Sequence, residues 1–166
     1  YNFDFSDNPQ LAIQRDIFVF HCYVAARVSD YFSMTEANIV RNNGGIVIQY
    51  IPSKTLRERG ETVFVPIESD RALAILNRYN DWRAANGSLF PFSTQQQYNI
   101  DIKAILRAVG ITRTVPIINP TTGQREIKPI CDIASSHMAR RTFVGNLYKA
   151  GELPDKIGKM SGHVEG

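Results

Sequence analysis

Ser135-Ser136-His137-Met138-Ala139-Arg140-Arg141-Thr142-Phe143-Val144-Gly145 is the stretch on which the reading of this chain turns. Its two serines offer an N-cap, and a helical pattern runs on to about Ala150. Ala139, Phe143, Leu147 and Ala150 recur at steps of four and three, which makes one apolar face for a core. His137 and Arg140 are three apart and fall near the helix start, on the flank of that face. Free N–H groups, the positive dipole end and a guanidinium fork together suit an anion, and the anion expected is a phosphodiester. A solvated helix end explains the same pair without any ligand, so the rest of the chain has to decide.

The totals narrow the field. A chain of 166 residues is long enough for one domain with a real core. Hydrophobic residues at 43% and charged residues at 21% fit a globular domain. Net charge is +3 and the pI about 9.0, which is compatible with nucleic acid without identifying it. The longest apolar run, Ile17 to Ala26, contains His21 and is too short to cross a bilayer. No signal peptide is visible, and the expected location is the cytoplasm. Cys22 and Cys131 lie far apart and read as reduced, buried thiols. No Cys-x-x-Cys or His-x-x-x-His exists, so neither a zinc site nor any other cofactor is expected. The chain opens on Tyr1 and stops just after a Gly-His pair, and it reads as one domain of a longer protein.

Working outward, a helix is expected from Pro9 to about Val24, aromatic-rich and central to the core. Ala25-Ala26-Arg27-Val28-Ser29-Asp30 follows, an Arg at a junction flanked by apolar residues. Such an Arg points into a partly buried place and needs a partner there, either Asp30 or a phosphate. Asn42-Asn43-Gly44-Gly45 is a turn. Ile46–Ile51 and Thr62–Ile67 read as an antiparallel pair of strands, joined by a long basic connection that carries Lys54. A hairpin needs only about two to five residues to turn, so the extra length suggests use. Helices are expected over Ser69–Tyr79 and Thr94–Val109, the latter ended by Gly110. Ile111–Ala134 lacks helical period, and Val115–Ile118 with Arg125–Ile127 forms a candidate second hairpin around Asn119-Pro120-Thr121-Thr122-Gly123. Gly151 closes the helix that starts near His137, Pro154 helps start a short one, and Ser161-Gly162-His163 ends that. The fold class is α+β, mostly helical with a small antiparallel sheet.

Arg27, Lys54, His137, Arg140 and His163 now stand in order: an Arg after a core helix, a Lys in a hairpin, His-x-x-Arg on a helix, then Gly-His. This order resembles the catalytic domain of the tyrosine recombinases, the phage-integrase family. Ala26–Asp30 looks like that family's first-arginine box. Ser53-Lys54-Thr55 ahead of Val63-Phe64-Val65-Pro66-Ile67 looks like its lysine hairpin. His137–Phe143 looks like its second box, and Ser161-Gly162-His163 like the histidine that precedes its nucleophile. In detail the boxes are most similar to integrases of mobile elements in Bacteroides-like bacteria.

The resemblance implies the DNA breaking-rejoining fold and metal-independent strand cleavage by a tyrosine, through a 3′-phosphotyrosyl link. It makes Arg27 and Arg140 clamps on the non-bridging oxygens. Lys54 becomes the donor to the leaving 5′-oxygen, and His137 and His163 the proton acceptors or phosphate ligands. It also implies double-stranded DNA and other recombinase protomers, as a tetramer, for partners. Arg113, Arg125, Lys128 and Arg141 are expected to touch the DNA backbone or to be simply solvated.

The chain also departs from the pattern. The family's nucleophilic Tyr lies beyond the Gly-His, so residues 1–166 are expected to be a catalytic domain cut short before it, with no core-binding domain ahead of Tyr1. Tyr148 is where the family carries an apolar core residue, and the other tyrosines read as core or surface aromatics. His21 is expected to be a satisfied buried histidine and Trp82 a packed aromatic. Two rival readings are a B-subclass type I topoisomerase and a DNA-binding or regulatory protein with an inactive recombinase-like domain.

Overall fold

A computed structural model of the chain describes residues 2–54 and 60–162. Its first helix, α1 (Pro9–His21), is the core element that the aromatic-rich sequence suggests. Asn8 Oδ1 accepts from the amide of Leu11 at 3.0 Å and starts it, with Pro9 in the first turn where no amide is missed. Ile17 and Phe20 are completely buried. The helix packs against α3 (Asp70–Arg78), α5 (Gln95–Ala108) and α7 (His137–Lys149). Asp16, itself buried, ties α1 to α3 by accepting from Arg78 at 2.6 Å and from the Tyr79 hydroxyl at 2.9 Å.

The short helix α2 (Val28–Phe32) follows the Ala-Ala-Arg junction, and a 3-10 turn over Glu36–Asn38 leads to the sheet. The sheet has three antiparallel strands in the order β1 (Ile39–Asn42), β2 (Gly45–Tyr50), β3 (Val63–Ile67). β2 and β3 are the expected pair, with Ile48 opposite Val65 and Tyr50 opposite Val63. Those four side chains face the core while Phe64 faces out, the alternation a half-buried sheet requires. β1 is not evident in the sequence. Asn42–Gly45, legible only as a turn, reverses the chain so that Ile39 pairs with Ile48.

After α3 the chain restarts as α4 (Asn80–Asn86), stopped by Gly87 at φ +83°. Trp82 packs against the core as expected. α5 buries Tyr98, Ile102, Ile105 and Leu106 on one face and gives way at Gly110. The second hairpin forms a separate ribbon of β4 (Thr114–Ile118) and β5 (Arg125–Pro129). A single helical turn, α6 (Ile130–Ile133), sits where no period was legible. The last helices are α7 and α8 (Pro154–Ser161). Cys22 and Cys131 are free thiols, the second buried and the first partly so. Among the described residues no helix is long and apolar enough to cross a membrane.

One local expectation is corrected. Ser136 occupies the N-cap position of α7 but makes no side-chain cap, because its backbone is already helical (φ −53°, ψ −28°). A capping hydroxyl needs an extended backbone to reach back to the first amides. The start of α7 is fixed from another element instead: Asn99 Oδ1 on α5 accepts from the Ser136 amide at 2.8 Å.

Candidate phosphate-binding site

The site is built on a strained turn. Ala25 has φ +56°, among the described residues the single left-handed position that is not glycine. That conformation costs an L-residue roughly 1–2 kcal/mol. It aims two successive carbonyls at two buried donors. Ala25 O accepts from Arg140 Nη1 at 2.8 Å, and Ala26 O lies 2.8 Å from His21 Nε2. The same imidazole meets the Tyr98 hydroxyl through Nδ1 at 3.2 Å and stacks on Tyr31. Because a carbonyl only accepts, Nε2 carries the proton and Nδ1 accepts from Tyr98. Burial pushes the His21 pKa down to about 4, opposed by the Ala26 carbonyl and helped by the nearby Arg140 charge. His21 is therefore the satisfied core histidine expected, and it also anchors the turn that delivers Arg27.

Arg27 stands in the N-cap position of α2 with extended backbone and is half-buried. Arg140 lies on the buried side of α7, 5% exposed. Burial holds the Arg140 pKa below the usual guanidinium value, the charge of Arg27 adds to that, and Tyr50 and Asp30 oppose it. Four groups from three elements thus share one field: Arg27 at the N-cap position of α2, Asp30 within it, Tyr50 of β2 and Arg140 of α7. Tyr50, at the end of β2, is pushed up to about 12 mainly by burial, so its phenol stays protonated at neutral pH.

Asp30 is not the simple partner of Arg27 that the sequence allows. Its Oδ1 accepts from the amide of Ser53 at 3.0 Å, and its buried Oδ2 has no hydrogen-bond partner. This contact pins the start of the β2–β3 connection to α2, one residue before the exposed Lys54. At the other end of the chain, α8 stops at Gly162 in a left-handed conformation. A Cβ there would lie 3.2 Å from Pro52 and 3.9 Å from the Tyr50 hydroxyl, so α8 ends against the same corner.

Of the five candidate site residues, Arg27 and Arg140 are brought within reach of each other's charge. Lys54 is exposed and follows Ser53, whose amide donates to Asp30, and His163 lies outside the described residues. His137 is exposed at the first position of α7, on the rim of a cleft of about 730 Å³ between α7 and β4. Arg113, Arg141 and Lys149 line the same cleft, and no acidic residue does. Arg125 and Lys128 lie outside that lining, on β5, where Lys128 pairs with Glu126 at 3.2 Å. Sequence reasoning missed the roles of Tyr50 and His21 in this corner. Neither gives a local signal, since each matters through what tertiary packing sets beside it.

No family model matches the sequence, and no curated protein aligns with it. Solved structures do match. A pre-cleavage complex of the XerH site-specific recombinase with difH substrate superposes with a TM-score of 0.68 at 14% identity, over 98% of this chain and 43% of XerH. The post-cleavage complex gives 0.65 at 16% identity. The Tn1549 transposon integrase in complex with a circular intermediate DNA gives 0.57 at 17% identity, over 90% of this chain and 50% of the integrase. The fold is that of the tyrosine recombinase catalytic domain. The chain spans less than half the length of the XerH chain it matches.

Proposed function

We propose that the chain is the catalytic domain of a site-specific DNA recombinase or integrase that cleaves and rejoins strands through a 3′-phosphotyrosyl intermediate. The observation that carries this reading is a buried Arg140 whose guanidinium lies in the field of Arg27. Two guanidinium groups that share one field at a partly buried corner suit an anion. The one carboxylate in their field, Asp30, already gives one oxygen to the Ser53 amide. A phosphodiester suits them: it offers two non-bridging oxygens to two forks, with more charge on them in the transition state than before it.

In this reading Arg27 and Arg140 hold and polarise the phosphate. Lys54 protonates the leaving 5′-oxygen, and its exposed, mobile-stemmed ammonium suits delivery better than a fixed fork would. His137 and His163 take the tyrosine proton or bind the phosphate. Tyr50 is buried at the end of β2, and Tyr148 is exposed at the far end of α7. The attacking tyrosine and a DNA-clamping domain would belong to sequence outside residues 1–166. The reading carries over assembly with other protomers on duplex DNA, in a bacterial cytoplasm. The detailed likeness of the boxes favours an element-borne integrase.

The test uses the full polypeptide and nicked duplexes built from the junctions that flank its gene. A covalent protein–DNA product is expected. Arg140→Ala should reduce its rate of formation by on the order of a hundredfold or more, as removal of a transition-state donor does. Normal cleavage by Arg140→Ala overturns the site. DNA binding with no covalent product favours the regulatory rival, and relaxation of supercoiled plasmid without strand exchange favours the topoisomerase.

A further inference from the structure

The β4–β5 ribbon has two unlike faces. Val115 and Ile117 are half-buried and border the cleft beside α7. The opposite face carries Thr114, Pro116 and Ile118 of β4 across from Pro129, Ile127 and Arg125 of β5. Ile118 and Ile127 are each 72% exposed. Isolated two-stranded ribbons are marginal, and exposed apolar strand faces invite association, so an uncovered face of this kind needs an explanation.

Charge and rigidity supply one. The outer face holds Arg125 directly opposite Ile118 and no acidic residue. The single carboxylate of the two strands, Glu126, is on the other face, engaged by Asn119 at 2.6 Å and Lys128 at 3.2 Å. The tip is fixed: Asn119 Oδ1 accepts from the Thr121 and Thr122 amides, and Gly123 at φ +69° bonds back to the Asn119 carbonyl. A basic, stiff ribbon with an apolar stripe matches a polyanion whose groove floor has apolar points. Two strands about 4.8 Å apart, with their side chains, fill a major groove about 12 Å wide and are too broad for a minor groove of about 6 Å. The apolar feature of the major groove is the thymine C5-methyl group.

We infer that the β4–β5 ribbon is a second DNA-reading element, which lays its outer face in the major groove with Ile118 and Ile127 against thymine methyl groups and Arg125 on the backbone. This rests on the proposal that the chain acts on duplex DNA, and it adds a source of sequence preference separate from the cleavage chemistry.

Thymine methyls can be removed without touching base pairing. The probes are two fluorescein-labelled 30-base-pair duplexes, alternating dA-dT and alternating dA-dU, titrated at one salt concentration with the chain and with an Ile118→Ser/Ile127→Ser variant. The wild-type chain should bind the thymine duplex more tightly, by about fourfold for each methyl group covered. The variant should lose that preference and bind both duplexes as the wild type binds the uracil one. Circular dichroism checks that the ribbon change leaves the domain folded. Equal wild-type affinities for the two duplexes, or an undiminished preference in a folded variant, overturn the inference while leaving the arginine site intact. A face used by a second copy of the chain instead would show as a dimer lost on substitution, with DNA binding unchanged, and overturns it too. Failure to bind either duplex would sink the DNA reading itself and this inference with it.

Discussion

Arg140 is asked to do two things, and its substitution should show both. One guanidinium nitrogen supports the Ala25 carbonyl from inside. Removing it leaves a buried acceptor unpaired, a loss of about 1–3 kcal/mol, besides the loss in cleavage. The sequence shows Arg27 and Arg140 because box spacing is a one-dimensional signal. It does not show why Ala25 is strained or that His21 and Arg140 hold adjacent carbonyls, because those facts arise only when α1, α2 and α7 meet. His21 gives the sharper test. Its folded pKa lies near 4 against an ordinary 6.5, so the unfolded chain binds the extra proton between those values. Its contribution to stability is complete above pH 6.5 and is lost as pH falls toward 4, by about 3 kcal/mol. Urea unfolding of the wild type and of His21→Gln, compared from pH 7 to pH 4, should show the wild type losing that much more than the variant. Parallel pH profiles would mean the imidazole is not held neutral.

At the scale of elements, legibility followed length and period. α1, α5 and α7 each run for three turns or more with one buried face, and the sequence shows all three. β2 and β3 are legible through β-branched content. β1, α4 and α6 are not, since each is four to seven residues long and owes its form to what it packs on. The apparent serine cap of α7 shows the same limit, for Asn99 took over that task from another helix. The start of the β2–β3 connection is tied to α2 through Asp30. Asp30 Oδ1 holds the Ser53 amide and so fixes the approach to Lys54. Asp30→Ala should free that amide and speed tryptic cleavage after Lys54 several-fold, with global stability measured alongside in urea. A cleavage rate that rises no more than unfolding explains would show that Asp30 does not anchor the connection.

Across the whole molecule, a net charge of +3 is too small to explain selective attraction to a polyanion, so the distribution of charge has to. Several carboxylates are taken by their own cations: Asp16 by Arg15 and Arg78, Glu36 by Arg41 and Arg83, Asp132 by Arg107. The cleft between α7 and the ribbon keeps Arg113, Arg141 and Lys149 with no carboxylate on its lining. Cations of that kind can replace counterions on DNA, whereas Arg41, paired with Glu36 at 2.6 Å, has already spent its charge. Each phosphate neutralised contributes about −0.9 to the slope of log affinity against log salt. Duplex binding measured from about 50 to 200 mM salt should therefore give Arg113→Gln/Arg141→Gln a slope shallower by nearly two and a lower affinity at every salt. Arg41→Gln should match the wild type in slope. If all three proteins share one slope, the positive cleft is ordinary solvated surface, and the DNA would have to be held by the Arg27–Arg140 corner and the ribbon without it.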